Sequence, residues 1–190
     1  VIPVLSPCPL NLENYRDVIF DASFGRYLVN SLVVGIVATL ITLLVGCMAA
    51  YGMARFSFAG RKALAYTTLM LRTVPLAVIA VPVFMIWSDW KLTNSLAGLI
   101  LLYVAVNLPF TIWLLYGFVL QVPVELEEAA SIDGCRPWKV FLRIVLPIAG
   151  PGLVAAFILS VVLCWNEYFL AALLTSTNAT TLPVMVASQT

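Results

Sequence analysis

Two groups of residues in this chain of 190 could do chemistry, and they sit in opposite surroundings. The first lies within apolar sequence: Arg72, Asn107 and the run Trp165-Asn166-Glu167-Tyr168-Phe169. A guanidinium, a carboxylate and side-chain amides can hold hydroxyl groups, while an aromatic face can stack on the C–H surface of a sugar ring. The second group crowds one polar loop: Glu125, Glu127, Glu128, Ala129, Ala130, Asp133, Gly134, Arg136, Lys139, Arg143 and Pro147. Glutamates there can meet arginines across an interface, and alanines on the same short helix admit another backbone closely. Such a loop between two apolar runs offers something to a partner in water.

Other chemistries have no residues to work with. Histidine is absent, which removes the commonest general base and metal ligand. No H-E-x-x-H pattern or pair of aspartates at helical spacing lies in an apolar run, so neither catalytic residues nor metal ligands are expected. No G-x-x-x-x-G-K-[ST] loop is present to cradle phosphate, so no cofactor is expected in this chain. The net charge of +1 leaves no nucleic-acid footprint. Cys8, Cys47, Cys135 and Cys164 form no C-x-x-C pair and read as small hydrophobes rather than disulfides or zinc ligands.

The elements that must position these groups are membrane spans. The chain is 63% hydrophobic and 10% charged, whereas soluble domains are about a quarter charged. With a mean hydropathy of +1.05 it cannot hide its apolar surface in a core of its own. A span takes about 20 helical residues. Four stretches suffice: 28–54, 63–87, 96–120 and 153–174. The fold class expected is an all-α polytopic bundle, with an extracytoplasmic segment over 1–27 and the polar loop over 121–152. The middle spans are joined by the short wet loop 88–95.

Basic residues set the orientation. Arg55, Arg61 and Lys62 fall in one loop and Arg136, Lys139 and Arg143 in another, both on the same side of four spans. That side is read as cytoplasmic, against Arg16, Arg26 and Lys91 opposite. Residues 11–20 have near-helical apolar spacing and read either as an interfacial amphipathic element or as a solvated linker. The stretch 176–190, rich in Thr and Ser, reads as a tail without structure. Val1 is no initiator and no signal peptide is visible, so the chain reads as an internal piece of a longer protein.

Within the loop, Pro123 suits the first position of a helix. Glu125, Glu127 and Glu128 complement its dipole, and Gly134 suits the left-handed position that ends it. A second short helix follows Pro137 with Trp138, Phe141, Leu142 and Ile144. Composition alone fits a helix pair resting on lipid; spacing points elsewhere. Glu128-Ala129-Ala130, three residues, Gly134, nine residues, then Ile144-Val145-Leu146-Pro147 matches the signature of the permease subunits of binding-protein-dependent ATP-binding-cassette importers. The chain resembles these from about Asn11 to its end, most closely the carbohydrate-importing branch. Asn30-Ser31, Asn107-Leu108-Pro109, Trp165–Phe169 and Leu182-Pro183 point the same way, and Arg72-Thr73-Val74-Pro75 is similar to members that carry sugar alcohols.

The resemblance implies that the loop forms a coupling helix seated in a cleft of a cytoplasmic ATPase subunit. Glu125, Glu128, Ala129, Ala130, Asp133, Gly134, Arg143 and Pro147 would make that contact. It implies a second permease chain, two ATPases, an extracytoplasmic solute-binding protein and the inner membrane of a prokaryote. Relative to the family pattern, the first and last spans are missing. ATP is then bound by the partner, and this chain is a transport subunit rather than an enzyme.

Within the spans, Arg72 lies nine residues into 63–87, about 14 Å deep at ~1.5 Å per residue. An arginine at mid-bilayer costs roughly 2.5–3.5 kcal/mol on insertion scales, so it should face the bundle interior or a wet cavity. Glu167 is its acidic counterpart, and the two are expected on the translocation path, paired, or else forming a purely stabilising ion pair. Asn107, Trp165 and Asn166 are further candidates to line the path. Against that, Asn107 could simply bridge helices, and Trp165 and Tyr168 could anchor at the headgroups. Pro75, Pro82 and Pro109 are expected to kink their helices. An ion channel would need a charged or Gly-rich filter, which 88–95 does not resemble. A proton-coupled carrier using Arg72 and Glu167 is the alternative reading.

Overall fold

The computed structural model describes residues 22–188. The expected amphipathic element at 11–20, Arg16 and Cys8 lie outside the described residues. The described residues are all-α, with no strand among them.

Helix α1 (Ala22–Arg55) has 34 residues and no proline, giving a rod about 51 Å long at ~1.5 Å per residue. It exceeds the ~30 Å hydrocarbon core and carries Arg55 out at its end. One face explains how it packs. Gly35, Ala38, Thr39, Thr42, Gly46 and Ala50 recur three or four residues apart and are buried. Lipid gives helices no hydrophobic reason to associate, so small residues that let backbones approach hold them together. A Cβ on Gly46 would stand 3.2 Å from Thr111 Cγ2 of helix α4 (Leu96–Leu120). The opposite face of α1, including Val33, Ile36, Val37, Leu40 and Leu44, is exposed.

Between α1 and α4 comes a broken pair, α2 (Arg61–Leu71) and α3 (Leu76–Asp89), whose axes differ by 92°. Pro75 has no N–H to give to residue 71 and biases Val74 away from helical backbone, so the helix stops short of it. The stretch 63–87 is therefore two helices, and Arg72 caps the first at the break instead of lying inside a continuous span. Pro75 opens α3 as its N-cap, whereas Pro82 and Pro109 are inside α3 and α4.

Beyond the loop helices α5 (Val124–Ile132) and α6 (Pro137–Ile148) come α7 (Gly150–Trp165) and α8 (Phe169–Leu174). Helix α6 turns 74° into α7. Its middle, Phe141–Val145, is π-helical, with Leu146 N–H donating to Phe141 O five residues back. Pro147 denies Arg143 O its normal partner, and the ladder slips to accommodate that. The stretch 153–174 is likewise broken, at 166–168, between α7 and α8. By length and composition α1 and α4 can each cross a membrane, and the bent pairs α2/α3 and α6/α7 raise the number to four if each is one span.

A polar seam ties α1, α4 and α7 inside the bundle. Asn107 Nδ2 donates to Tyr103 O at 3.0 Å and to Cys164 Sγ at 3.4 Å, Thr111 Oγ1 donates to Asn107 O, and Thr111 shares a hydrogen bond with Ser160 at 3.3 Å. Cys47 and Cys164 are free and buried, and Cys135 is free.

The tail differs from the expectation that 176–190 lacks structure. Asn94, in the left-handed region at φ 52°, turns its Oδ1 to accept the N–H groups of Ser176, Thr177, Asn178 and Ala179 at 3.0–3.4 Å. Asn30 Nδ2 donates to Asn178 O and Thr180 O, and Leu182 N–H donates to Ser31 Oγ at 2.7 Å. A last helix, α9 (Leu182–Ser188), follows against α1. One side-chain oxygen thus gathers four backbone donors, which composition does not reveal.

Candidate functional site

Two places in the bundle bring the chemically able residues together. The first is the end of α1 that carries Arg55, where both basic loops meet. Here α5 begins after Pro123, which is its N-cap rather than its first helical residue, because ψ is already 129° at that position. Glu125 and Glu127 lie in the first turn. At the other end Gly134 takes φ 82°, its N–H donates to Ser131 O, and Cys135 N–H donates to Ala130 O. That paired closure needs a left-handed residue, which glycine supplies without a Cβ penalty.

The helix has a fixed face and an open one. Glu127 is buried: its Oε1 accepts from Arg55 Nε at 2.5 Å and its Oε2 from Tyr51 Oη at 3.0 Å. Arg55 Nη2 also donates to Val119 O and Val122 O, at 3.1 and 2.8 Å. Ala130 is buried on the same side. Glu125, Glu128, Ala129 and Asp133 are exposed, and Ile132 is 87% exposed among them. Arg143 and Pro147 are exposed on α6. Tyr51 and Phe141 rings lie 4.8 Å apart, so α6 rests on the same corner of α1. Among the loop acids it is Glu127, not Glu125 or Glu128, that meets an arginine within the chain. Sequence reasoning missed this pairing; the signal was Glu127 and Ala130 lying three residues apart, on one face of a helix.

The second place is a cavity of about 670 Å³ walled by α3, α4 and the breaks at 72–75 and 166–168. Arg72, Asn107, Asn166 and Glu167 all line it. Trp165 does not, because the last turn of α7 carries it off the wall, and it is half-buried elsewhere. The aromatic side chains on the wall are Trp87 and Tyr103, which the sequence had not singled out. Trp87 Nε1 donates to Gly98 O, and Tyr103 Oη donates to Glu167 O at 2.9 Å.

The expected Arg72–Glu167 pair does not form. Arg55–Glu127 is the ion pair among the described residues. Arg72 places its guanidinium 5.8 Å from the centre of the Phe110 ring, within reach of a cation–π attraction. Glu167 Oε1 instead accepts Leu170 N–H at 3.0 Å and so starts α8. The carboxylate therefore secures the break at 166–168, and the cation stays on the open side of the wall, where Arg72 is exposed. Asn107 bridges α4 and α7 through Cys164 and also borders the cavity. The cavity can offer a hydroxylated molecule a cation, amides and two aromatic surfaces.

The family model described as binding-protein-dependent transport system inner membrane component matches residues 42–190. The diacetylchitobiose uptake system permease protein of Streptomyces coelicolor is 39% identical over 168 residues, covering 88% of this chain and 56% of that protein. The trehalose transport system permease protein of Mycobacterium tuberculosis is 37% identical over 187 residues, covering 98% and 68%. The sulfoquinovosyl glycerol transport system permease protein of Agrobacterium fabrum is 36% identical over 174 residues, covering 91% and 61%. The chain thus spans between 56% and 68% of the length of these relatives. A crystal structure of a bacterial ABC transporter involved in import of the acidic polysaccharide alginate superposes with a TM-score of 0.79 at 21% identity, covering 95% of this chain and 63% of that one. That likeness is one of fold.

Proposed function

The chain belongs to the family of binding-protein-dependent transport system inner membrane components, and from that premise we propose that it is the membrane-spanning permease subunit of an ATP-driven importer. A separate ATPase subunit docks on α5, around Glu128 to Gly134, and an extracytoplasmic binding protein delivers the solute. A second permease chain completes the pathway across the inner membrane of a prokaryote. The solute is a sugar or sugar alcohol.

One observation carries the proposal. Helix α5 is anchored along one edge by the buried Arg55–Glu127 pair, yet it leaves Ile132 87% exposed between the free carboxylates of Glu128 and Asp133. A large apolar side chain held outward beside charge on a rigid short helix suits a protein partner better than water or hydrocarbon. The bent α6 with its exposed Arg143 and Pro147 extends the same surface.

The names of the relatives support a carbohydrate, as do the donors and acceptors of the cavity. Arg72, Asn107, Asn166 and Glu167 present hydrogen-bonding groups, and Trp87 and Tyr103 present ring faces. The breaks at 72–75 and 166–168 place non-helical backbone at this wall, and irregular backbone in a membrane bundle is tolerated where it lines a cavity. Movement of α5 by its ATPase partner rocks the helices around the cavity and exposes it to each side in turn.

The test is purification of the chain from its own membrane. An ATP-binding-cassette ATPase should accompany it, and uptake of a sugar or sugar alcohol should stop when ATP is withdrawn while surviving an uncoupler. Uptake that an uncoupler abolishes with ATP intact would instead favour the proton-coupled carrier.

A further inference from the structure

Arg55 makes contacts that a simple interface residue does not need. Its guanidinium reaches three elements at once: it belongs to α1, grips Glu127 of α5 with Nε, and with Nη2 takes the carbonyls of Val119 and Val122 where α4 ends. Those carbonyls lie at the negative end of the α4 dipole; Val119 O also accepts Val122 N–H, whereas Val122 O, just past the helix, has Arg55 as its donor. Tyr51, one turn earlier on α1, holds the other oxygen of Glu127. Arg55 and Glu127 side chains are only 11% and 10% exposed.

From this geometry we infer that Arg55 and Glu127 are positioning residues that make α5, the end of α4 and α1 move as one body, so that displacement of α5 reaches the bundle without slip. The inference rests on the importer reading, which supplies the force on α5. Apolar contact alone would not achieve it, since greasy surfaces slide. A charged hydrogen bond is directional, and separating two buried charges leaves each uncompensated. Tilting α5 away from α1 would strand Glu127 and leave Arg55 as a buried charge without its carboxylate. Rotating α5 by one residue would bring an exposed neighbour, Leu126 or Glu128, to the place of Glu127 and break both of its bonds.

The experiment measures whether α5 and α1 stay together during the nucleotide cycle. Spin labels at Leu44→Cys on α1 and Ser131→Cys on α5, both exposed, are placed on a chain whose native cysteines are replaced. The complete importer, assembled with its ATPase in membranes, is compared by pulsed electron-spin resonance without nucleotide and trapped with ATP. The expected result is one narrow distance that does not shift between the two states. In Glu127→Gln and Arg55→Met the distribution should broaden and shift with ATP, and the number of solutes moved per ATP hydrolysed should fall. Tyr51→Phe, which removes one of the bonds to Glu127, should give a smaller broadening and covers the case in which Arg55→Met fails to assemble. A distance that shifts with ATP in the native pair, or stays narrow and fixed in Glu127→Gln, overturns the inference. If no ATPase accompanies the chain, the importer reading falls first and this one with it; an ATPase-bound complex with a shifting distance sinks this one alone.

Discussion

Gly134 offers the cleanest perturbation of the loop, because its surroundings and its backbone can be separated. Its φ of 82° is a left-handed conformation, and a Cβ built there meets nothing within 4 Å. Any effect of substitution is therefore a backbone effect. For an ordinary L-residue the left-handed region costs roughly 1–2 kcal/mol. Asparagine, whose short polar side chain bonds locally, pays less. A cost of that size lowers the population of the closed turn by about 5–30-fold. The turn is closed by Gly134 N–H on Ser131 O and Cys135 N–H on Ala130 O, so those amides should exchange with deuterium faster by the same factor. Gly134→Val should show the whole effect, Gly134→Ala somewhat less and Gly134→Asn least. Gly134→Asp tolerates the backbone better than valine but adds charge to the exposed face, so it should lose coupling of ATP hydrolysis to uptake beyond what its exchange rate accounts for. Membrane insertion should be unaffected throughout. If Gly134→Val exchanges its amides at the native rate, or if Asn and Val are equally damaging, the conformational reasoning is wrong.

Glu128→Lys should leave insertion and folding intact, since the Glu128 side chain is exposed and has no ion-pair partner among the described residues, while uptake per ATP hydrolysed falls sharply; normal uptake contradicts the docking assignment. Gly152→Val should lower the unfolding midpoint, because even a Cβ there collides with the Phe118 ring of α4; overpacking of this kind costs about 1–3 kcal/mol, read by thermal denaturation in detergent. Asn94→Ala removes the acceptor of four backbone N–H groups and should open residues 176–179 to protease many-fold faster while α4 stays protected.

The fold class was legible because apolar length and the positions of charge are properties of the sequence itself. The left-handed turn at Gly134 was legible for a related reason: helix closure is local, and glycine at that offset is its signature. What could not be read was the phase of each helix. Glu125, Glu127 and Glu128 look alike in sequence, but only the one that shares a face with Ala130 is turned toward α1. Its partners Tyr51 and Arg55 lie 76 and 72 residues away. The same limit hid Trp87 and Tyr103 on the cavity wall and brought Trp165 wrongly onto it. The breaks at 72–75 and 166–168 follow a different logic. Pro75 disfavours helix at Val74, but a helix can also continue through a proline, as α3 does at Pro82 and α4 at Pro109. What decides between continuation and break is whether the freed backbone groups and the residue before the proline find another use. Arg72 stops α2 with its own N–H on Leu69 O and Met70 O and spends its charge on Phe110. Glu167 does the corresponding work for α8 through Leu170 N–H, with Tyr103 on its carbonyl. The two ionisable residues that looked like an ion pair in the sequence are thus each tied to a helix break, and the cavity between them exists because those breaks do.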